Sequence, residues 1–386
     1  MTPPTTPPVK ELRCHFCEGP VDVPQRGWTL GRKAYCSAHH ILEDSDPWVN
    51  GQSAIDYAET LHHMDPSDLI HWPWKAMNEL AGPLAPGRLT YIAAFPGGGK
   101  TSFLTHCLYW WLTKGKTVTY LPLESDPGEV FVRLACLEVG ASADEALSFR
   151  LAERKATGDR EAIILHDELT VAYRLFRDKR ALLEQLRISR IEALTVRSFV
   201  KEVAIAQAME SDLIVVDHVD HVETEAGEFG SEIQTSNALQ SEALKAAKRL
   251  NIPIVLATQL NSSRTGNDRL AHYRPPSTDW LYNKGKKEQM AANIIGLSRA
   301  MKPGIDPNWL SEVRAGVRPI SDVVHDNRMA VTGMKLRYGG AAKERTSLLA
   351  YERGRITDLD AADQRETLAS RHGVLLGSPS ERRRAS

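Results

Sequence analysis

Five short apolar runs punctuate the middle of the chain: RLTYIAA from Arg88, TVTYLPLE from Thr117, DLIVVDHV from Asp212, IPIVLATQ from Ile252 and NIIGLSR from Asn293. Each is almost continuously hydrophobic, the pattern of a strand covered on both faces rather than one. Between them, apolar residues recur at helical spacing, and Leu239, Ala243, Ala247 and Leu250 mark one such face. Strands alternating with amphipathic helices predict an α/β fold, a parallel-rich sheet flanked by crossover helices.

Outside that region the pattern breaks down. Residues 1–12 are rich in Pro and Thr and read as a disordered tail, and residues 361–386 as a basic one. A Cys/His-rich module is expected over 13–45, then a polar linker over 46–68 with a short helix from Ser53 to Met64. The main domain is expected over 69–360. Within it, Ala141 to Arg190 is charged and helical in pattern, with no chemistry attached.

Composition narrows the choices. With 48 basic and 49 acidic residues the net charge is −1, so any contact with nucleic acid must come from local basic segments. No run reaches the length of a membrane span and the start lacks a signal-type apolar stretch, which predicts a cytoplasmic protein without a membrane partner. Five cysteines suit no disulfide framework, and Cys107 and Cys136 fall in helical apolar patterns that suggest buried thiols. Cys14 and Cys17, followed by Cys36 with His39, have zinc-ribbon spacing; His40 is the alternative fourth ligand. So short a module needs the metal to fold.

The first apolar run leads into Ala94, Phe95, Pro96, Gly97, Gly98, Gly99, Lys100, Thr101 and Ser102. This is a phosphate-loop pattern with Ala94 where a first glycine is expected. Glycines let successive backbone N–H groups face an anion, and the helix that follows adds its positive end. Lys100 is then expected between the outer phosphates of ATP, and the Thr101 hydroxyl on Mg²⁺. Asp217, closing the third run, fits the acid that orients the metal. Glu124 closes the second run. Placed on a strand next to the loop-bearing one, it is the candidate to orient or deprotonate the attacking water. Gln259, at the tip of the fourth run, can donate and accept, and so can sense the γ-phosphate.

Together LAGPLAPGRLTYIAAFPGGGKT, YLPLES, LIVVDHVDHV and LNIPIVLATQLNSS resemble the RecA-like ATPase domain of DnaB-type hexameric replicative helicases, from about Trp74 to Asp358. Alanine at the first loop position is itself in that family's manner. KEQMAANIIGLSR is similar to a segment that carries two acids in the family, replaced here by Met290 and Ala292. The resemblance implies a RecA-like P-loop NTPase that hydrolyses ATP at subunit interfaces of a homo-oligomeric ring, normally a hexamer. It also implies that Lys335 and Arg337, in GMKLRYGG, reach the neighbouring subunit's nucleotide as cationic fingers. Single-stranded DNA is the implied track, with a loader or other replication partner.

In such rings, channel loops hold the strand. The segment after the third run is acidic through Glu223, Glu225, Glu228 and Glu232. The long segment after Gln259 is basic through Arg264, Arg269, Arg274, Lys284, Lys286 and Lys287, and is the expected DNA contact. Two other readings stay open: a RadA-like recombination or repair ATPase, which pairs a zinc motif with a K-x-R element, and a nucleotide-dependent assembly or regulatory protein of a mobile element or defence system.

Overall fold

The computed structural model describes residues 28–30 and 33–35, and then 69–359 apart from 149, 192, 221, 225–231, 262–269, 303–304, 338–345 and 353–354. Near the start, β1 (Trp28–Leu30) and β2 (Lys33–Tyr35) pair as an antiparallel hairpin. The expected zinc ligands Cys14, Cys17, Cys36 and His39, the alternative His40, and the expected helix from Ser53 to Met64 all lie outside the described residues.

The main domain is built on a nine-stranded sheet: β3 (Leu89–Ala94), β4 (Val118–Pro122), β5 (Leu186–Ile188), β6 (Leu213–Asp217), β7 (Ile254–Gln259), β8 (Ala291–Met301), β9 (Val324–Leu336), β10 (Thr346–Glu352) and β11 (Arg355–Asp358). Their order is β11-β10-β9-β8-β3-β7-β6-β4-β5. From β8 to β5 every pairing is parallel. Pairings of β8 with β9, β9 with β10 and β10 with β11 are antiparallel. The helices are α1 (Lys75–Ala81), α2 (Lys100–Thr113), α3 (Pro127–Val139), α4 (Ala143–Ala146), α5 (Arg150–Ala156), α6 (Arg160–Asp178), α7 (Arg180–Glu184), α8 (Val196–Ala208), α9 (Glu232–Leu250), α10 (Lys284–Met290) and α11 (Pro307–Ala315).

The strands are apolar throughout because both faces are covered. On one face Ile92, Ala94, Val118, Tyr120, Val215 and Val255 pack with Phe103, Leu104, Leu108 and Trp111 of α2 and with Leu134 of α3. On the other, Leu89, Tyr91, Ala93, Ile214, Val216 and Leu256 meet Phe199 and Val203 of α8 and Leu239, Ala243 and Ala247 of α9. Alternate residues of each strand thus go to opposite layers. Buried indoles have partners: Trp72 Nε1 donates to Gly82 O (2.9 Å), Trp74 Nε1 to Ile356 O (2.8 Å) and Trp111 Nε1 to His71 O (2.8 Å). The Asp358 carboxylate accepts from the Lys75 and Ala76 N–H groups at 2.8 and 3.0 Å, so the last strand caps the first helix of the domain.

Two expectations change. β4 does not neighbour β3, because β7 and β6 lie between them. The segment after Gln259 is not one long loop: it contains 3₁₀ turns at Ala271–Tyr273 and Thr278–Trp280, and then α10. Among the described residues no helix is long and apolar enough to cross a membrane.

Candidate active site

The carboxyl edge of β3, β7, β6 and β4 gathers the chemistry. Beyond Ala94 the chain turns on a Gly98 N–H to Phe95 O bond of 2.9 Å, and α2 begins at Lys100. A Cβ on Gly98 would sit 2.8 Å from Phe95 O. Gly99, the helix N-cap, has φ +85°, and a Cβ there would meet Met329 Cε at 2.8 Å. Glycine is therefore required at Gly98 by sterics and at Gly99 by backbone conformation as well. Pro96 and Gly97 are exposed, Gly98, Gly99, Thr101 and Ser102 half-buried, and Lys100 buried. One side of the loop opens on a cavity of about 210 Å³ lined by Phe95, Pro96, Gly97, Gly98, His272, Tyr273, Leu297 and Arg299. The Phe95 and His272 rings, both in its wall, stack on each other, 4.2 Å apart and 2° from parallel.

Asp217 ends β6 and is buried. Its Oδ2 accepts from the Tyr120 hydroxyl at 3.0 Å, while Oδ1 is buried with no hydrogen-bond partner among the described residues. Burial raises the Asp217 pKa, against the pull of the Tyr120 hydroxyl, Lys100, the Thr101 hydroxyl and His218. Burial likewise lowers Lys100, opposed by Asp217, Glu124 and Asp220. An orphaned carboxylate oxygen beside a hydroxyl is the donor set a Mg²⁺ ion takes, so the residues present fit that metal.

Glu124 lies two residues past β4 and is brought to the site although its strand is not adjacent to β3. His218 makes this possible. Its Nδ1 accepts from the Asp220 N–H at 3.3 Å, which leaves the proton on Nε2, 2.7 Å from Glu124 Oε1. Gln259 Nε2 lies 2.9 Å from the same ring nitrogen and 3.3 Å from Glu124 Oε1. Three side chains at or just beyond the ends of three strands thus share one point. Beneath them Asp220 accepts from the Gln259 N–H (2.5 Å), the Thr258 hydroxyl (2.9 Å) and Lys287 Nζ (2.8 Å). Burial alone would raise Asp220, but the Lys287 ammonium and these donors hold its carboxyl below the usual range.

A family model described as the DnaB-like helicase C terminal domain matches residues 70–333. The chain belongs to that family. Among curated proteins none matches the sequence. Among solved structures, one titled as a DnaB-like replicative helicase and its interactions with primase is similar at TM-score 0.58 and 17% identity, covering 82% of this chain and 68% of that one. A second, titled as an ATPase domain, is similar at TM-score 0.57 and 17% identity, covering 81% of this chain and 100% of that one. At these identities the likeness is one of fold, a RecA-like ATPase fold with a mostly parallel sheet. Membership of the DnaB-like family implies an ATPase of the helicase type that uses a nucleotide and Mg²⁺.

The remaining expected residues of this DnaB-like domain fall in different places. Lys335 donates to the backbone carbonyls of Glu288 and Ala291, the latter at 2.8 Å. Its pKa is lowered by burial and then by the like charge of Arg337. The Arg337 side chain is exposed, while its N–H donates to Ala292 O at 3.0 Å. Both lie level with the start of β3, because Leu336 pairs with Asn293 and Asn293 with Thr90. The phosphate loop leaves the other end of β3, about 16 Å away at roughly 3.3 Å per residue. Arg337 thus lies at the far end of β3 from this chain's phosphate loop.

Of the expected DNA contacts, Arg264 and Arg269 lie outside the described residues, and Arg274 and Lys286 are half-buried. Lys284 is paired with Asp279 at 2.5 Å. Lys287 corrects the expectation: it is fully buried against Asp220 and Thr258, and its ammonium cannot meet a phosphate backbone there. Sequence reading also missed His218 and Asp220. The available signal was that His218, Asp220 and His221, beyond Asp217, interrupt the apolar run VVDHVDHV.

Proposed function

We propose that this chain is the motor subunit of a ring-forming, ATP-driven helicase that moves along single-stranded DNA and separates duplex ahead of it. The observation that carries the reading is the convergence of Lys100, Asp217, Glu124 and Gln259 at one sheet edge, with Arg337 at the far end of β3 from the phosphate loop.

In this reading the loop amides from Gly97 to Ser102 and the Lys100 ammonium hold the phosphates, and the nucleoside extends into the cavity bounded by Tyr273 and Arg299. Thr101 and Asp217 hold Mg²⁺, which neutralises phosphate charge when bound. Glu124 orients a water and takes its proton as the water oxygen bonds to the γ-phosphorus and the bridging oxygen departs with ADP. His218 fixes the Glu124 carboxylate. Arg337 of one subunit stabilises the transferring phosphoryl group in the next, so turnover requires assembly, in the family's manner as a hexamer. Arg264, Arg269 and Arg274 remain the proposed contacts to the strand, with Lys284 and Lys286 at their margin.

The test is ATP turnover with and without single-stranded oligonucleotide, together with strand displacement on a forked duplex. Stimulated turnover with displacement supports the reading. Turnover indifferent to DNA, with no strand released, overturns it in favour of an assembly or regulatory ATPase.

A further inference from the structure

Lys287 spans most of the length of β3. Register places Thr258 opposite Ala93 and Ala291 opposite Leu89, four residues apart, or about 13 Å along the strand. One turn of helix from Ala291 back to Lys287, plus the lysine stem, spans that interval. At the upper end the ammonium is 2.8 Å from Asp220 Oδ1 and 2.5 Å from Thr258 Oγ1. There Asp220 also grips the backbone N–H of Gln259. At the lower end, where α10 runs directly into β8, the carbonyls of Glu288 and Ala291 hold Lys335, and Ala292 O and Asn293 Oδ1 accept from the Arg337 N–H at 3.0 and 3.2 Å.

We propose that Lys287 is a positioning residue that ties the Gln259 sensor of a subunit's own nucleotide site to Arg337, the group that subunit lends to its neighbour. An ion pair with its lysine fully buried and its carboxylate 13% exposed contributes little net stability, because desolvation offsets the attraction; its best-attested use is to fix register or a switch. Here it fixes α10 to the sensor strand. Any shift of Gln259 as the γ-phosphate leaves is passed through Asp220 and Lys287 to α10, and from its last carbonyls to the β9 end that carries Lys335 and Arg337. The coupling element is the second half of one short helix, held above through the Lys287 side chain and below through the Glu288 and Ala291 carbonyls, a contiguous physical link rather than mere proximity.

The proposal rests on the trans-acting role of Arg337, and the experiment separates the two. Full-length Glu124→Gln chains, which hold ATP without cleaving it and keep an intact Arg337, are mixed with Arg337→Ala chains, which have an intact site and no finger. Recovered ATP turnover then reports only sites where the finger comes from the Glu124→Gln donor. Lys287→Met is next placed in the donor alone. Because that change leaves Asp220 unpaired, a second donor carries D220N/K287M, with thermal melting and gel filtration run on both. We expect recovered kcat to fall about fivefold or more with either donor while KM for ATP is unchanged, since the working sites belong to the other chain. A merely structural lysine would leave recovery with the well-folded double variant equal to that with the parent donor, and that result overturns the proposal alone. No recovery in the parent mixture overturns the trans-site reading, and the proposal with it.

Discussion

Acidification should loosen the phosphate-loop helix through His106. This residue is half-buried in the second turn of α2, where its Nδ1 faces Ser102 O at 2.9 Å and its Nε2 accepts from the Ile356 N–H at 2.8 Å. The ring therefore ties the loop helix to β11, and only a neutral imidazole protonated on Nδ1 can make both bonds. An imidazolium would turn a second N–H against the Ile356 donor. Burial lowers the His106 pKa from 6.5 to about 4, with the Ser102 bond opposing and the Arg355 charge assisting. The folded value lies below the unfolded one, so the contribution is complete above pH 6.5, where neither state takes up the proton. As pH falls through that window only the unfolded chain binds it, and stability is lost progressively until about pH 4. The full difference corresponds to about 3 kcal/mol at 1.36 kcal/mol per pH unit. Urea unfolding of the parent and of His106→Gln, at steps from pH 7.5 to 4.5, isolates this residue from every other titrating group. The stability advantage of the parent should shrink by about 2–3 kcal/mol over that range. Parallel pH profiles for the two proteins would refute the reasoning.

Two further outcomes follow from single contacts, and a third tests the zinc-ribbon spacing of the sequence. Gly99→Ala forces a left-handed backbone onto alanine and drives its Cβ against Met329, so stability should fall by about 1–2 kcal/mol and titration with an ATP analogue should show weakened binding. Lys287→Met should cost about 3–5 kcal/mol in chemical denaturation by stranding Asp220, and D220N/K287M should regain most of it, because removing both charges of a buried pair is near neutral. Metal analysis of the purified full chain should find one zinc per chain, lost in C14S/C17S; a metal-free parent would remove the zinc module from the account.

Legibility of the sequence follows how local each determinant is. β3, β6 and β7 could be read because a strand covered on both faces must be a run of apolar residues, and Asp217 and Gln259 because they close such runs. Strand order could not, since no local feature says that β7 and β6 insert between β3 and β4. Glu124 reaches the same sheet edge although β4 does not neighbour β3, and His218 contacts its carboxylate there, a partner no local pattern indicates. β9 escaped notice because Arg328, Thr332 and Lys335 break its apolar pattern, as expected of antiparallel strands near one edge. Lys287 misled for a related reason. In sequence it sits in a run of lysines that reads as solvated, and its partner Asp220 is 67 residues away.

The central claim is that ATP held at the phosphate loop is cleaved by water acting through Glu124. Single-turnover hydrolysis by Glu124→Gln, measured under conditions where nucleotide binding is shown to match the parent, tests it most directly. The account predicts intact binding with cleavage slowed by about 10²–10⁴, the contribution of a positioned general base. Cleavage at the parental rate would contradict it.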